Sequence, residues 1–189
     1  MFKAIFLYSK TTRFLISTIR AFFIFTIISM GRIGHAENFF RIPVVDLDQR
    51  HDLQVVVDKE EGVYLGHPST VLLEDGKTIL IVYPKGHGKG EIVYKRSRDG
   101  GKTWSGRLPV PENWSTSKEV PTIHRVINSA GVKRLIMWSG LYPARLSVSD
   151  DDGLTWSPLK KVGNWGGIVV MGSVVALKQP GHYLAMFHD

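Results

Sequence analysis

The sequence of 189 residues contains no cysteine. Disulfide bonds and thiolate-ligated metal sites are therefore excluded, whereas the cellular compartment is left open. Helical periodicity is also absent after residue 36, where short runs of β-branched and aromatic residues alternate with turns rich in Gly, Asn and Asp. Such runs are typical of β-strands, so the sequence predicts an all-β fold.

Acidic residues are absent from the first 36 positions, which hold Lys3, Lys10, Arg13, Arg20 and Arg32. These five account for most of the formal net charge of +7: of 24 basic residues, 19 remain beyond position 36 against 17 acidic ones, a balance of +2. The later part has no stripe rich in Lys and Arg, so the sequence predicts no nucleic-acid partner.

A long hydrophobic run is lacking as well. Basic residues precede an apolar stretch from Ala21 to Met30, which small residues at Gly34 and Ala36 follow. This pattern predicts a secretory signal peptide over residues 1–36, cleaved after Ala36, and a secreted or periplasmic protein. The alternative is an uncleaved N-terminal anchor, the one case in which we expect contact with a membrane. The apolar stretch is shorter than the roughly 20 residues that span a bilayer.

What the chain does have is a repeated eight-residue pattern, Ser-x-Asp-x-Gly-x-Thr-Trp. It occurs at residues 97–104 and again 52 residues later at 149–156. In a turn, Asp and Ser bond nearby backbone groups, Gly supplies a positive φ, and Trp packs the turn onto the sheet. Five matched positions at this spacing indicate a repeat architecture.

The repeat extends beyond these turns. Similar strand starts occur at Pro68, Pro121 and Gly172, offset by 53 and 51 residues. Each unit consists of strand A, a turn, strand B, a longer loop, strand C, the eight-residue turn and strand D, and four-stranded units of this size are typical of propeller blades. The third unit stops after strand B. We expect strands at 68–74, 78–84, 91–97, 120–127, 134–139, 145–149, 168–177 and 182–188.

The eight-residue pattern resembles the Asp-box of sialidases and related β-propellers, over roughly residues 66–189. The resemblance implies a partial six-bladed propeller, in which residues 67–189 supply about two and a half blades of four-stranded antiparallel sheet. Residues 37–66 are expected to form an entry segment, with 53–57 as a candidate ring-closing outer strand. Six such units need about 310 residues, so the resemblance also implies a truncated chain.

The function that the resemblance implies is glycoside hydrolysis or recognition of an acidic glycan. The alternative is a non-catalytic Asp-box propeller that binds carbohydrate or protein. The family's catalytic groups lack matching positions: Gly66 stands where the first arginine of the carboxylate-binding triad belongs, and the loop 84–90 offers no acid/base carboxylate. Arg41, in an Arg-Ile-Pro motif, is a second candidate for that arginine. The family's Tyr/Glu pair would lie beyond Asp189, so we expect no catalysis by this chain alone.

Antiparallel connectivity places the strand A starts, the B–C loops and the D–A loops on one edge of the blades, here called the upper rim; the Asp-boxes lie at the opposite edge, the lower rim. We expect the upper rim to bind an anionic sugar, because Arg holds a carboxylate through two parallel bonds and Lys acts as a point charge. Arg145 is the main candidate, with His67 and His87 as hydrogen-bonding neighbours; the alternative is a surface Arg145 paired with an acid such as Asp150. Further upper-rim residues are Lys85, Lys89, Lys118, Glu119, Tyr142, His188 and Asp189.

The sequence predicts no cofactor and no metal site. Its histidines, among them His67, His87, His124 and His188, share no spacing that would place two ligands on one element. No catalytic residue is assigned.

Overall fold

A computed structural model describes residues 43–87 and 90–188 of the chain. The expected signal peptide, Arg41, Lys89 and Asp189 lie outside the described residues. The chain divides into two compact units between Leu53 and Gln54. In the described part of the first unit, a 3₁₀ turn spans His51–Leu53.

The second unit is built of three small antiparallel sheets. The first contains β1 (Ser69–Leu72), β2 (Ile79–Pro84) and β3 (Ile92–Ser97). The second contains β4 (Thr122–Ile127), β5 (Lys133–Ser139), β6 (Arg145–Ser149) and β7 (Lys160–Lys161). The third contains β8 (Val170–Ala176) and β9 (Tyr183–His188). All eight expected strands are present, with both ends within two residues of the prediction, and the all-β class is confirmed.

The register of the sheets defines their two edges. Ser69 pairs with Val82, and Thr122 pairs with Trp138, so the starts of β1 and β4 lie beside the ends of β2 and β5. The third sheet repeats this arrangement at Val170. These strand ends and the loops after β2 and β5 form the upper rim. The first strands of the sheets are neighbours, because β1 lies beside β4 and β4 lies beside β8.

The core lies between consecutive layers, because alternate side chains of a strand point to opposite faces of its sheet. One cluster lies between the first and second sheets and contains Leu80, Val82, Ile92, Tyr94, Ile123, Leu135 and Met137. The other face of the first sheet is covered by residues 54–66 of the entry segment, in a cluster of Val57, Leu65, Ile81, Tyr83 and Val93. A third cluster, Trp138, Ala144, Ile168 and Met171, lies between the second and third sheets.

Both Asp-boxes form the same hydrogen-bonded turn. Ser97 donates to Asp99 and accepts the Gly101 N–H, both at 2.8 Å, while Asp99 accepts the Thr103 N–H at 2.9 Å and its hydroxyl at 2.7 Å. The second box repeats these bonds at 2.6–2.9 Å between Ser149, Asp151, Gly153 and Thr155. The fixed glycine has a φ of 87° in the first box and 79° in the second, the region that favours glycine.

The two Asp-box indoles occupy equivalent places at the lower rim. Trp156 packs on the cluster between the first and second sheets, and Trp104 packs on the cluster beneath the entry segment. Each indole thus contacts the layer that precedes its own sheet. The Gly100 N–H donates to the Lys77 carbonyl at 2.9 Å, which places the first Asp-box beside the turn between β1 and β2, as predicted.

The connection from the first to the second sheet differs from the prediction. In the first repeat, strand D is reduced to two backbone hydrogen bonds to β3. The Ser105 N–H donates to the Arg96 carbonyl and the Leu108 N–H donates to the Tyr94 carbonyl, both at 2.9 Å. Prolines follow at positions 109 and 111, and a proline has no N–H to extend a ladder. A 3₁₀ helix, Glu112–Thr116, comes next, although the sequence shows no helical period.

The entry segment also differs in detail from the expected outer strand. Leu53 ends the 3₁₀ turn, and residues 54–57 contain a single bridge residue, Val56, in place of a strand. Val57 is buried against the first sheet. The ring-closing role of this segment stays a prediction.

Candidate functional site

Three aromatic rings meet at the upper rim of the first sheet. The ring centroids of His67 and His87 lie 4.9 Å apart, and the Tyr64 ring lies 6.2 Å from His67 and 5.2 Å from His87. All three residues are exposed. We call these residues the upper-rim ring cluster.

The entry segment and the loop after β2 build the ring cluster together. Leu65 and Lys85 form an antiparallel bridge, and the Gly86 N–H donates to the Tyr64 carbonyl oxygen at 2.9 Å. Gly66 is buried, and a Cβ atom there would lie 2.1 Å from the Tyr64 ring. A side chain at this position, where the sialidase resemblance would have placed an arginine, would have to displace the exposed Tyr64 ring.

The sequence predicts His67 and His87 as hydrogen-bonding neighbours of Arg145. The structure places their two rings side by side, whereas the guanidinium of Arg145 binds Thr116. Tyr64 was not among the predicted site residues. The only indication in the sequence was that Tyr64 is an aromatic residue three positions before His67. The repeat pattern begins after Tyr64, so it does not reveal that this residue lies beside the loop after β2.

Lys85 is less available than the sequence suggests. Its Nζ forms ion pairs with Glu60 at 3.1 Å and with Glu91 at 3.6 Å. Glu60 also binds Arg107 at 2.6 Å, and the hydrogen bonds from Arg107 and then Lys85 lower the pKa of Glu60. Because two carboxylates already share its charge, Lys85 is a weak candidate for binding an anionic ligand.

The same network continues along the face of the first sheet that the entry segment covers. Asp58 accepts hydrogen bonds from Arg107 at 2.8 Å and from the Tyr83 hydroxyl. Burial, with the hydrogen bond to Asp58, raises the pKa of Tyr83. Lys95 is buried and donates to the Val57 carbonyl. These groups bind one another, so their role is to hold the entry segment on the sheet.

Arg145 begins β6, and Thr116 holds its guanidinium. Nη1 donates to the Thr116 hydroxyl at 2.7 Å and Nη2 donates to its carbonyl oxygen at 2.8 Å. The Nε atom is buried without a hydrogen-bond partner, and burial lowers the pKa of Arg145. Asp150 binds Arg134 at 2.5 Å, so the alternative of an Arg145–Asp150 pair is wrong. Arg145 faces the same side of the sheet as Ser147, toward the first sheet.

A cavity of about 510 Å³ opens at the upper rim beside Thr116. Lys118 lines it, is exposed, and has no hydrogen bond or ion pair with the described residues. Gly140 packs behind the cavity, since a Cβ atom there would lie 2.5 Å from the Glu119 Cβ and 2.3 Å from the Ile168 carbonyl oxygen. The lining consists of Gly90, Ser115, Thr116, Ser117, Lys118, Glu119 and Leu141. Arg145 shapes this cavity by fixing Thr116 and does not line it itself.

The predicted site is thus divided into two parts, the ring cluster and this cavity. Within the described ranges, no hydrogen bond, ion pair or ring contact joins Arg145 or Tyr142 to the ring cluster. Tyr142 is 61% exposed, and its ring lies along the backbone at Gly167, where a Cβ atom would come within 2.6 Å of it. The loop between β2 and β3 borders both parts, because it carries His87 and Gly90.

The described part of the chain contains no group of three or more His, Cys, Asp or Glu side chains placed to hold a metal ion. Among its helices, none has the length and apolar character that crossing a membrane requires.

In comparisons with known proteins, no family model and no curated protein sequence matches this chain.

Proposed function

We propose that the three sheets are consecutive blades of a sialidase-like six-bladed β-propeller. Three features support this architecture: the repeat of 51–53 residues, the neighbouring positions of β1, β4 and β8, and the placement of both Asp-boxes at one rim. In such a ring the first strands line a central channel, and the upper rim surrounds its mouth.

We assign to the upper rim the binding of an acidic glycan, in a secreted or periplasmic setting. The observation that carries this assignment is the ring cluster, in which two imidazoles and a phenol lie exposed with centroids 4.9–6.2 Å apart. Aromatic rings offer apolar faces to a sugar and polar edges to its hydroxyl groups. Lys118, which has no hydrogen bond or ion pair with the described residues, adds an ammonium group for a carboxylate at the same rim.

Binding, in preference to hydrolysis, is the role that the loop 84–90 supports. A glycosidase needs a carboxylic acid whose pKa is raised, so that it can donate a proton near neutral pH. The loop 84–90 at the upper rim has no carboxylate at the position where the family carries its acid/base. This favours a non-catalytic Asp-box propeller that binds carbohydrate.

The proposal is tested by titrating the protein with methyl α-N-acetylneuraminide, glucuronic acid and the neutral methyl β-galactoside, followed by NMR. We expect the acidic sugars to shift the imidazole C–H resonances of His67 and His87. Lys118→Gln should weaken their binding about fivefold, the effect of one exposed charge pair. Lys178→Gln is the matched control, because Lys178 is equally exposed but lies in the turn between β8 and β9, at the lower rim.

Equal affinity for neutral and acidic sugars would remove the anionic part of the proposal. Loss of affinity in Lys178→Gln as large as in Lys118→Gln would show a non-specific charge effect. Unmoved histidine resonances at saturating sugar would remove the ring cluster from the site.

A further inference from the structure

We propose a second ligand site at the lower rim, for a small organic anion with a flat apolar body. A cavity of about 460 Å³ lies between the two Asp-boxes. Its lining combines two arginines with aromatic and aliphatic side chains, and none of its residues carries a carboxylate. The lining consists of Tyr94, Arg96, Arg98, Thr103, Trp104, Ser105, Leu108, Pro109, Gly153 and Leu154.

The two arginines supply the recognition of an anion. Arg96 uses Nη2 to bind the Asp152 carbonyl oxygen at 2.8 Å, while its Nη1 has no partner in the described ranges and is not buried. Arg98 is exposed and has no hydrogen bond or ion pair with a described residue. The unpaired guanidinium of Arg98 can hold a carboxylate, sulfate or phosphate group through two parallel bonds, and Nη1 of Arg96 can add one more.

The apolar side chains that line the cavity are the reason to expect a ligand with a flat apolar body. The Trp104 indole is half-buried, and its Nε1 donates to the Gly101 carbonyl at 3.1 Å, so one part of the ring is fixed and another faces the cavity. Leu154 is 67% exposed at a variable position of the second Asp-box, where the first box has Lys102. A turn tip needs no exposed leucine for its own geometry, whereas a flat ligand between an indole and a leucine would bury both.

The cavity walls are cross-linked without a ligand. The Tyr94 hydroxyl donates to the Gly153 carbonyl at 2.9 Å, and Arg96 binds the residue before it, so β3 holds the second Asp-box in place. The Arg96 N–H donates to the Ser105 hydroxyl at 3.0 Å, which fixes the third wall. A pre-formed cavity of this size loses little conformational freedom on binding. The site is independent of the proposed glycan site, which lies at the opposite rim.

The probe is 2-naphthoate. Two matched ligands each lack one of its features: 2-naphthalenemethanol is neutral, and acetate has the carboxylate without the flat aromatic body. Calorimetry should give a Kd on the order of 0.1–1 mM for naphthoate and at least tenfold weaker binding of the other two. In NMR spectra, naphthoate should shift the Trp104 indole N–H. Arg98→Gln should weaken binding about five- to tenfold, because it removes an exposed cation without a structural partner. Leu154→Ala should also weaken it, because this substitution removes the exposed apolar side chain that the flat ligand would bury.

Lys102→Gln is the control, because Lys102 is an exposed cation of the first Asp-box that does not line the cavity. The affinity of the Lys102→Gln variant for naphthoate should equal that of the wild type. The proposal is overturned if naphthoate does not bind at millimolar concentration, if naphthalenemethanol binds equally well, or if the Lys102 variant loses as much affinity as the Arg98 variant. Unchanged affinity in both Arg98→Gln and Leu154→Ala would overturn it as well.

Discussion

Tyr94 on β3 donates its hydroxyl hydrogen bond to the backbone carbonyl of Gly153, the fixed glycine of the second Asp-box, at 2.9 Å. The bond spans two sheets, and neighbouring contacts reinforce it. Arg96, also on β3, donates to the Asp152 carbonyl oxygen at 2.8 Å, while the Asp152 side chain binds Arg125 of its own sheet at 2.5 Å. The second Asp-box is therefore a cross-link to the preceding sheet as well as a turn of its own.

Tyr94→Phe tests this cross-link. The substitution keeps the ring in the core but leaves the Gly153 carbonyl without its side-chain donor, so we expect a loss of about 1–2 kcal/mol in the free energy of unfolding. Urea denaturation at neutral pH measures it. Tyr142→Phe serves as the control, since the Tyr142 side chain is exposed, and should change stability by less than about 0.5 kcal/mol. Equal effects of the two substitutions would show that the cross-link does not stabilise the fold.

Trp114 should be the most sensitive tryptophan of the described residues. It is fully buried between the first and second sheets, and its ring meets those of Tyr94 and Trp156 at 6.5 and 5.4 Å. Trp114→Ala should cost about 3–5 kcal/mol, by loss of burial and creation of a cavity. Trp165→Ala should cost far less, because Trp165 is 49% exposed. Thermal melts of both variants measure the difference, and a similar drop in Tm for the two would contradict the assignment.

The strands could be predicted from the sequence because their signal is local and repeated. Runs of β-branched residues between Gly and Asp turns occur at a constant offset, so each unit supports the interpretation of the next. The Asp-box turns follow from five fixed residues whose hydrogen bonds close within the turn. A pattern of this kind depends on neighbours along the chain, which the sequence displays directly.

The parts that escaped prediction depend on contacts between distant segments. Trp114 has a counterpart 51 residues later, Trp165, but Trp165 is 49% exposed whereas Trp114 is fully buried, so the repeat alone does not place Trp114 in the core. The guanidinium of Arg145 binds Thr116, which is 29 positions away in an irregular connection. Tyr64 reaches His87 because the entry segment folds over a loop that the repeat does not define.

Asn113, in the connection between the first and second sheets, should anchor that connection to the second sheet. Its Nδ2 donates to the Leu159 carbonyl at 3.0 Å, and its Oδ1 accepts the Leu159 N–H at 2.9 Å. Asn113→Ala removes both bonds at a partly buried position and should lower the free energy of unfolding by about 1–3 kcal/mol. Ser115→Ala, in the same 3₁₀ helix but exposed, should cost less than about 0.5 kcal/mol. Chemical denaturation of both variants compares them, and an equal loss would remove the anchoring role.

Asp99 should make the stability of the protein depend on pH in the acid range. Its pKa lies at about 2, below the ordinary value of 3.8, because the Thr103 N–H, the Thr103 hydroxyl and the Ser97 hydroxyl bond its carboxylate. A lowered pKa means that the folded state favours the charged form, so the contribution is complete above about pH 4 and disappears as the pH falls through about 2. Asp99→Asn should therefore destabilise the protein at neutral pH, and its difference from the wild type should shrink between about pH 4 and 2. Urea titrations across this range measure it. Ser115→Ala, which removes an exposed hydroxyl outside the Asp-boxes, is the control and should differ from the wild type by the same small amount at every pH. A difference that stayed constant or widened on acidification would mean that the carboxylate charge does not stabilise the Asp-box.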